Sequence, residues 1–302
     1  MSLKRRVLSA RNAFLKPFCH GKRVALVSSD LWKGKVYDDL LLQRALMKKG
    51  AKAEIISWQD STVDYRDYDV VVIASMWGYQ NHLEEFEDWL KMLDSLKVRV
   101  FNSTEMIREN CDKIKQIIMM DRNKLPHIAT KYVSVDKLGL EKDFPFVLKP
   151  AISASGQGTR LVRSKIELSK AIAKYEKAFK GQKILKQEFR PEIKNGEVSV
   201  VLVRGKIVNA VRRFPGVIDN KPNAVEALDL CSLEPELVDL CKKVAKQDDY
   251  KKCLYLRVDT VKTVAGYLIM EIEAFEPQLF YYLLKGKNRK NMLAAMVKGI
   301  LG

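Results

Sequence analysis

Two strand-like segments near the C-terminus decide the fold of this chain: Leu256-Arg257-Val258-Asp259-Thr260-Val261 and Tyr267-Leu268-Ile269-Met270-Glu271-Ile272-Glu273. Each is otherwise composed like a buried strand, yet each carries carboxylates at its centre. Glu271 and Glu273 stand two residues apart, so both side chains project from the same face of their strand. Ionised carboxylates held side by side in an apolar sheet repel each other unless a cation or hydrogen bonds compensate.

The acids on these two strands have two interpretations. Carboxylate oxygens that converge from neighbouring strands suit Mg²⁺, a hard cation that usually also takes oxygens from substrate phosphates. The pattern therefore indicates a metal–nucleotide site. The alternative is a solvated acidic face on an edge strand, and the two segments by themselves leave both interpretations open.

Length and composition are those of a globular protein with more than one lobe. The 302 residues have room for two or three lobes with substantial cores. No apolar run approaches the roughly 18–20 residues that span a bilayer, and no signal-type apolar core follows the basic Lys4-Arg5-Arg6. Five cysteines without CxxC spacing predict reduced thiols in a cytoplasmic protein and no metal-ligand cluster.

The formal net charge of +17 raises the question of a nucleic-acid partner. Lysines and arginines are, however, dispersed along the whole chain, and no basic stripe interleaves with aromatic residues. We interpret the charge as a lysine-rich solvated surface and expect neither a nucleic-acid nor a membrane partner. A homodimer is compatible with the sequence, which does not fix the oligomeric state.

The N-terminal third of the chain alternates strand and helix signals. Apolar runs such as Arg23–Ser28 and Asp69–Ala74 alternate with helical patterns such as Asp38–Lys49 and Glu84–Leu96. This alternation predicts an α/β domain with a parallel sheet and helices on its faces. The segment contains no GxGxxG, so a dinucleotide fold of the fingerprint type has no support.

The rest of the chain predicts two further lobes of α+β character. A helix over Thr104–Met120 links the first domain to the next lobe, and strands dominate the chain from Gly196 onward. Helices are predicted over Lys165–Lys180 and Glu234–Lys246, and Arg204-Gly205-Lys206 predicts a hairpin turn. The predicted domains are a basic N-terminal extension 1–21, an α/β domain 22–103, a linker helix with a first lobe 104–190, and a second lobe 191–302.

A loop of small residues, Ser153-Ala154-Ser155-Gly156-Gln157-Gly158-Thr159, follows a predicted strand that carries Lys149 near its end. Such a loop can bring backbone N–H groups close to phosphate oxygens, and Lys149 is placed to meet a phosphate as a point charge. It is not a Walker A sequence, because Gly-Lys-Ser/Thr is absent. Taken alone, the loop is better explained as an ordinary flexible hairpin after an exposed lysine.

A series of short motifs changes that balance through its order: Trp77-Gly78-Tyr79, Phe86-Glu87-Asp88-Trp89-Leu90, Phe101-Asn102, Asn110-Cys111-Asp112-Lys113, Val147-Leu148-Lys149-Pro150, Ile184-Leu185-Lys186-Gln187-Glu188-Phe189, Asn195-Gly196-Glu197, Val211-Arg212-Arg213, Arg257-Val258-Asp259 and Glu271-Ile272-Glu273-Ala274-Phe275-Glu276-Pro277. From about Arg23 to near the C-terminus, the chain resembles the ATP-grasp superfamily of ligases. It is most similar to the glutathione-synthetase-like and cycloserine-forming cyclo-ligase (RimK-like) branch. The resemblance implies an ATP-grasp fold preceded by a parallel α/β domain.

The resemblance also implies roles for individual residues. It implies ATP binding by Lys113, Lys149, Ser153, Ser155, Gly156, Gly158, Gln187, Glu188, Phe189 and Glu197. It implies magnesium ligation by Asp259, Glu271 and Glu273, the last standing where an Asn often completes the set. Catalytic contact with the transferred phosphoryl group is implied for Arg212 or Arg213 and for Arg257, and Glu276 is expected to face the substrate.

Two regions depart from the pattern of the branch. Ala74-Ser75-Met76-Trp77 lacks the Arg and Asp that usually flank the tryptophan, and residues 214–222 form a loop without the usual Arg and double glycine. Both regions lie where the resemblance would place the acceptor substrate. The resemblance therefore predicts the use of ATP more firmly than it predicts the identity of the substrates. Trp58, Trp77 and Trp89 are expected to be core anchors, and His20, His82 and His127 to be structural or surface residues.

The primary hypothesis is an ATP- and Mg²⁺-dependent ligase that joins a carboxylate to an amine through an acyl phosphate. Small amino-acid-like or peptide-like molecules are the expected substrates, and positioning with charge neutralisation would carry most of the rate. Two alternatives stay open. One is an ATP-binding regulatory or interaction protein that keeps the fold without turnover, and the other is a ligase that modifies a protein or RNA-associated partner.

Overall fold

The computed structural model describes residues 21–302, apart from residue 155, residues 180–182 and residues 215–222. The predicted basic extension lies almost wholly outside this range, and the predicted ATP contact of Ser155 lies outside it as well. None of the described helices has the length and apolar content that a membrane span requires. Three sheets organise the described chain.

The first sheet and its helices comprise β1 (Arg23–Ser28), α1 (Tyr37–Met47), β2 (Lys52–Ser57), β3 (Val70–Ile73), α2 (Leu83–Leu96) and β4 (Val100–Phe101). The strands lie in the order β2-β1-β3-β4, and every neighbouring pair is parallel. β3 is buried along its whole length, as expected when helices cover both faces of a parallel sheet. The predicted α/β character of the N-terminal part is confirmed.

The linker is two helices, α3 (Thr104–Asn110) and α4 (Lys113–Arg122), and the prediction of one continuous helix was wrong. The break has a local cause in Asp112. Its side chain accepts a hydrogen bond from the backbone N–H of Ile114 at 2.8 Å and so caps a new helix. The cap places Lys113 at the first position of α4.

The second sheet is antiparallel and contains β5 (Thr130–Val133), β6 (Phe146–Pro150), β7 (Arg160–Val162) and β8 (Ile184–Glu188), with α5 (Lys165–Ala178) beside it. Its order is β5-β8-β6-β7. Apolar residues of β6 and α5, among them Leu148, Leu168 and Tyr175, form its core. This small lobe carries Lys149 on β6 and the loop of small residues between β6 and β7.

The third sheet is antiparallel and contains β9 (Glu197–Val203), β10 (Lys206–Phe214), β11 (Ala224–Ala227), β12 (Tyr255–Thr263) and β13 (Gly266–Glu273), with helices α6 (Pro235–Lys246) and α7 (Gly286–Leu301). Its order is β11-β10-β9-β12-β13. The predicted hairpin joins β9 to β10, and Arg204 and Gly205 both have positive φ at its turn. Two consecutive positive φ values are typical of the type I′ turn that matches strand twist.

The first and third sheets share one hydrophobic core. Val24 and Val72 of the parallel sheet belong to the same buried cluster as Tyr255 of β12 and as Met296 and Ile300 of α7. Next to this cluster, the Lys22 Nζ atom donates a hydrogen bond to the carbonyl oxygen of Leu301 at 3.1 Å. Helix α7 therefore packs into the core that the first and third sheets share.

Two buried asparagines fix the end of β13. The Asn110 side chain donates to the carbonyl oxygen of Ile272 at 2.7 Å and accepts from the N–H groups of Ala274 and Phe275 at 2.6 and 2.9 Å. Asn102 donates to the carbonyl oxygen of Ala274 at 2.7 Å. Because the strand ladder has ended there, these amides satisfy backbone groups that would otherwise be buried without partners.

We predict that Asn110→Ala lowers the free energy of unfolding by about 2–3 kcal/mol. The substitution leaves two backbone N–H groups and one carbonyl group buried without hydrogen-bond partners. Urea denaturation of both proteins measures the change. Asn288→Ala, at an exposed position on α7, is the matched control and should change stability by less than about 0.5 kcal/mol. Equal effects of the two substitutions would contradict the proposed role of Asn110.

Candidate functional site

A cavity of about 490 Å³ lies where the three sheets meet. Trp77 and Tyr79 contribute from the first lobe, Lys149 from the second sheet, and Asp259 from the third. The predicted site residues that line it are Lys113, Lys149, Ser153, Gly156, Gln187, Glu188, Phe189, Glu197, Arg213, Arg257, Asp259, Glu271, Glu273 and Glu276. The structure thus brings together residues that are separated by more than half of the sequence.

The register of β12 and β13 brings the acids of the two strands together. Asp259 lies opposite Glu271, and Arg257 lies opposite Glu273. β13 is an edge strand of its sheet, as the solvated-face interpretation requires. The acids nevertheless face the cavity and form ion pairs, with the side chains of Glu271 and Glu273 only 22% and 25% exposed. The carboxylates are therefore compensated by protein cations and not by solvent alone.

Asp259 is held between two guanidinium groups. Its Oδ2 atom accepts from Arg213 at 2.6 Å and from Arg257 at 2.8 Å, and its Oδ1 atom accepts from Arg257 at 2.9 Å. Burial alone would raise the pKa of this carboxyl group. The two arginines outweigh burial and hold the pKa of Asp259 well below its usual range, so this carboxylate is ionised whenever the protein is folded at neutral pH.

Glu271 forms a second ion pair at the start of α4. The Lys113 Nζ atom lies 3.1 Å from the Glu271 carboxylate and donates to the carbonyl oxygen of Ser153 at 2.8 Å. Burial opposes both charges, but the attraction between them prevails, so the pKa of Lys113 is raised and that of Glu271 is lowered. Lys113 thereby joins the linker helix, the small-residue loop and β13.

Glu273 contacts Arg257, yet it titrates close to neutrality. Burial together with the neighbouring charges of Asp259 and Glu271 outweighs Arg257 and raises the pKa of Glu273 to about 7. An additional cation beside it would favour the ionised form. The positive charge around Asp259, Glu271 and Glu273 is therefore not enough to keep all three fully ionised at neutral pH, and an additional cation would stabilise the site.

The donor chemistry of these three acids fits Mg²⁺, because all are hard carboxylate oxygens on two paired strands. Among the residues that the structure describes, no three acidic, histidine or cysteine side chains are already gathered as metal ligands. Asp259, Glu271 and Glu273 are instead turned toward protein cations. Ligation of a metal would therefore require them to exchange some of these partners.

Lys149 differs from the other cations of the cavity. Lys113, Arg190, Arg213 and Arg257 each form an ion pair, whereas Lys149 has no ion-pair partner in the described part of the chain. Burial lowers its pKa, which is the sign of a desolvated ammonium group without enough counter-charge. An anion that entered the cavity would compensate it.

The part of the cavity along the second sheet is apolar. Its lining includes Ile128, Val147, Leu161, Phe189 and Met270. Gln187, Glu188 and Phe189, the segment between the second and third sheets that we call the hinge, line the cavity beside these residues. Apolar walls of this kind suit an aromatic base.

The two glycines of the loop have different environments. Gly156 lines the cavity with φ +71°. Gly158 does not line it: a Cβ atom at Gly158 would lie 2.6 Å from Pro150 and 2.8 Å from Phe179, so its hydrogen side chain is required by packing. The loop also contacts the first lobe, because Gln80 donates to the Gln157 side chain at 3.1 Å.

The structure distinguishes the two adjacent arginines of β10. Arg213 faces the cavity, where its Nε atom donates to the Ser199 hydroxyl at 2.7 Å and its guanidinium pairs with Glu197 at 2.8 Å. Arg212 points to the other face of the strand and pairs with Glu226 at 3.4 Å. The sequence left Arg212 and Arg213 as alternatives, and of the two only Arg213 lines the cavity, because neighbouring residues of a strand project to opposite faces.

Sequence reasoning missed the cavity role of Trp77, which was grouped with the core tryptophans. Trp58 and Trp89 are buried in the first lobe, but Trp77 lines the cavity and is only partly buried. Its indole N–H donates to the carbonyl oxygen of Glu276 at 3.3 Å. No local signal distinguishes Trp77, because the buried Trp58 is also followed by a polar turn at Gln59 and Asp60.

Sequence models of two known families match this chain. The model described as prokaryotic glutathione synthetase, ATP-grasp domain, matches residues 112–280, which is more than half of the chain. The model described as D-cycloserine synthetase DcsG, N-terminal domain, matches residues 24–102. The chain therefore belongs to the ATP-grasp ligases, in the family of the prokaryotic glutathione synthetase ATP-grasp domain. No curated protein matches it significantly in sequence.

Solved structures with the same fold are distant in sequence. D-cycloserine synthetase DcsG is 18% identical with a TM-score of 0.76, covering 91% of this chain and 99% of its own. A RimK domain ATP-grasp protein from Sphaerobacter thermophilus is 16% identical with a TM-score of 0.70, covering 93% and 100%. The ATP complex of D-alanine–D-alanine ligase from Bacillus anthracis is 14% identical with a TM-score of 0.67, covering 93% and 96%. The predicted ATP-grasp fold is confirmed.

We predict that Arg213→Met lowers the free energy of unfolding by about 2 kcal/mol, because Asp259 and Glu197 each lose a charge-assisted hydrogen bond in a buried site. Arg212→Met removes the same charge from the next residue and should cost less than about 1 kcal/mol, since its ion pair is half exposed. Guanidinium denaturation compares the two variants. A larger loss for Arg212→Met would contradict this assignment of the two side chains.

Proposed function

We propose that this member of the ATP-grasp ligases is an ATP- and Mg²⁺-dependent enzyme that joins a carboxylate to an amine. The observation that carries the proposal is Lys149, a partly buried ammonium group in the cavity wall that forms no ion pair with a described residue. A phosphate group is the anion that suits such a position beside a loop of small residues. The substrates are proposed to be small amino-acid-like or peptide-like molecules.

We assign nucleotide binding to three parts of the cavity. The base lies along the hinge Gln187-Glu188-Phe189, and Glu197 accepts hydrogen bonds from the ribose. The phosphates meet Lys113, Lys149 and the backbone of the loop around Ser153 and Gly156. Gly158 supports this loop through packing, because its contacts with Pro150 and Phe179 exclude a side chain.

Asp259, Glu271 and Glu273 are the residues that would hold Mg²⁺. When bound, the metal neutralises phosphate charge and orients the terminal phosphoryl group. The raised pKa of Glu273 supports this assignment, because a carboxyl group that is partly protonated near pH 7 gains most from an added cation. Arg257 and Arg213 keep Asp259 ionised, and Asp259 would exchange one of these partners for the metal.

The proposed reaction has two steps. A carboxylate oxygen of the donor substrate attacks the γ-phosphorus of ATP, the bond to ADP breaks, and an acyl phosphate forms. The amine then attacks the acyl carbon, phosphate leaves with the C–O bond electrons, and the nitrogen loses a proton as the amide forms. Arg213 and Arg257 stabilise the phosphate oxygens, and the loop that touches Gln80 excludes water from the acyl phosphate.

The proposal extends to organisation and location. Residues 22–103 would form the acceptor-side domain, residues 104–190 the first ATP-grasp lobe, and residues 191–302 the second lobe with the metal ligands. The cysteines that the structure describes are free thiols, in keeping with a reducing compartment such as the cytoplasm.

An ADP-release screen tests the function. Purified protein with Mg·ATP and hydroxylamine is offered a panel of amino acids and dipeptides, and trapped hydroxamate reports an acyl phosphate without knowledge of the natural amine. Glu271→Ala should reduce ADP release at least about 100-fold while keeping the fold. Glu226→Ala, at the exposed partner of Arg212, serves as the matched control. Nucleotide binding without ADP release for any carboxylate would overturn the enzyme in favour of a binding protein.

A further inference from the structure

The Trp77 end of the cavity contains an acid that the nucleotide and metal roles leave unused. Glu276 lines the cavity, and its Oε2 atom is buried without a hydrogen-bond partner among the described residues. An orphaned carboxyl oxygen is costly in a folded protein. In the proposed ATP-binding part of the same cavity, the side chain without an ion-pair partner in the described part of the chain is a cation, Lys149. A ligand with negative charge is therefore favoured at that end, and a ligand with positive charge is favoured beside Glu276.

The local charges favour a cation beside Glu276. The charged groups that act most strongly on it are Glu273, Lys113, Arg257 and Glu271. Both cations of this set are already engaged, Lys113 with Glu271 and Arg257 with Asp259 and Glu273. Burial and the charge of Glu273 therefore raise the pKa of Glu276 well above its usual value, despite Lys113.

The position of Glu276 is fixed from two lobes. The backbone just before it is held by the Asn110 amide through Ala274 and Phe275. Its own carbonyl oxygen accepts from the Trp77 indole, which packs edge to face against Trp32 at 5.5 Å between ring centroids. A carboxyl group set on such a rigid frame, with an indole beside it, is pre-organised for a ligand.

We propose that the Trp77 end of the cavity binds an ammonium group of the amine substrate, with Glu276 as its counter-ion. A primary ammonium group donates hydrogen bonds to both carboxylate oxygens, which would satisfy the orphaned Oε2 atom. The Trp77 and Tyr79 rings add favourable contacts for a cation. This inference rests on the proposed ligase function and names the chemical class of its acceptor.

The same charges restrict what else the acceptor carries. At this end, the described residues offer no spare cation that would anchor a carboxylate of the acceptor. A simple amine or diamine should therefore bind at least as well as an amino acid of the same length. This expectation separates the proposed site from one built for an amino-acid α-carboxylate.

Matched probes test the proposal: n-butylamine, n-butanol and 4-aminobutanoate are titrated into the full-length protein, with and without Mg·AMPPNP, by isothermal titration calorimetry. We expect n-butylamine to bind at least tenfold more tightly than n-butanol and no more weakly than 4-aminobutanoate. Glu276→Gln keeps the shape of the side chain and should weaken n-butylamine binding at least tenfold while leaving AMPPNP binding unchanged. Glu176→Gln, an exposed acid on α5, should leave both unchanged.

The outcomes separate the two proposals. Equal affinity for the amine and the alcohol, or an unaltered amine affinity in Glu276→Gln, would overturn the ammonium site even if AMPPNP binds normally. Failure of AMPPNP to bind the wild-type protein would instead overturn the ATP-dependent function, and the amine titration without nucleotide would still decide the ammonium site. Tighter binding of 4-aminobutanoate than of n-butylamine would overturn the acceptor class.

Discussion

The fold is organised around the burial of carboxylates on β12 and β13. Asp259 is buried and Glu271 is largely buried, so the protein must supply positive charge at a fixed distance. It does so from three different elements: Arg213 on β10, Arg257 on β12 and Lys113 at the start of α4. The site therefore cannot form until the linker helix and the third sheet are aligned, and local charge balance becomes a long-range constraint on the fold.

A second constraint comes from neutral hydrogen bonds. Asn102 and Asn110 bind backbone groups where β13 ends, and both asparagines come from the linker side of the molecule. Amide side chains suit this task because each offers a donor and an acceptor without the desolvation cost of a charge. The segment from Ala274 to Glu276 is thus positioned by the first half of the chain and not by its own sheet.

Much of the fold and part of the site were predictable from local patterns. Period-two spacing predicted that Glu271 and Glu273 share a face, and strand–helix alternation predicted the parallel sheet. The choice between Arg212 and Arg213 was not predictable, because spacing alternates faces without saying which face is inward. Which of Gly156 and Gly158 lines the cavity depends on contacts with Phe179, which is distant in sequence. The helix break at Asp112 was not predictable because the apolar pattern continues through it. The location of Trp77 in the cavity wall was not predictable either, because the sequence pattern around an aromatic residue is the same in a core and in a cavity wall.

The shared core of the first and third sheets has a consequence for how the chain is made. Residues of α7 belong to the same buried cluster as one face of the parallel sheet, and Lys22 is hydrogen-bonded to Leu301. During synthesis at about 5–20 residues per second, this apolar face would wait roughly 10–40 s for the helix that covers it. The nascent N-terminal lobe therefore exposes apolar surface during this interval, and its nearly balanced charge, 12 basic against 13 acidic residues over 22–103, offers little repulsion against aggregation.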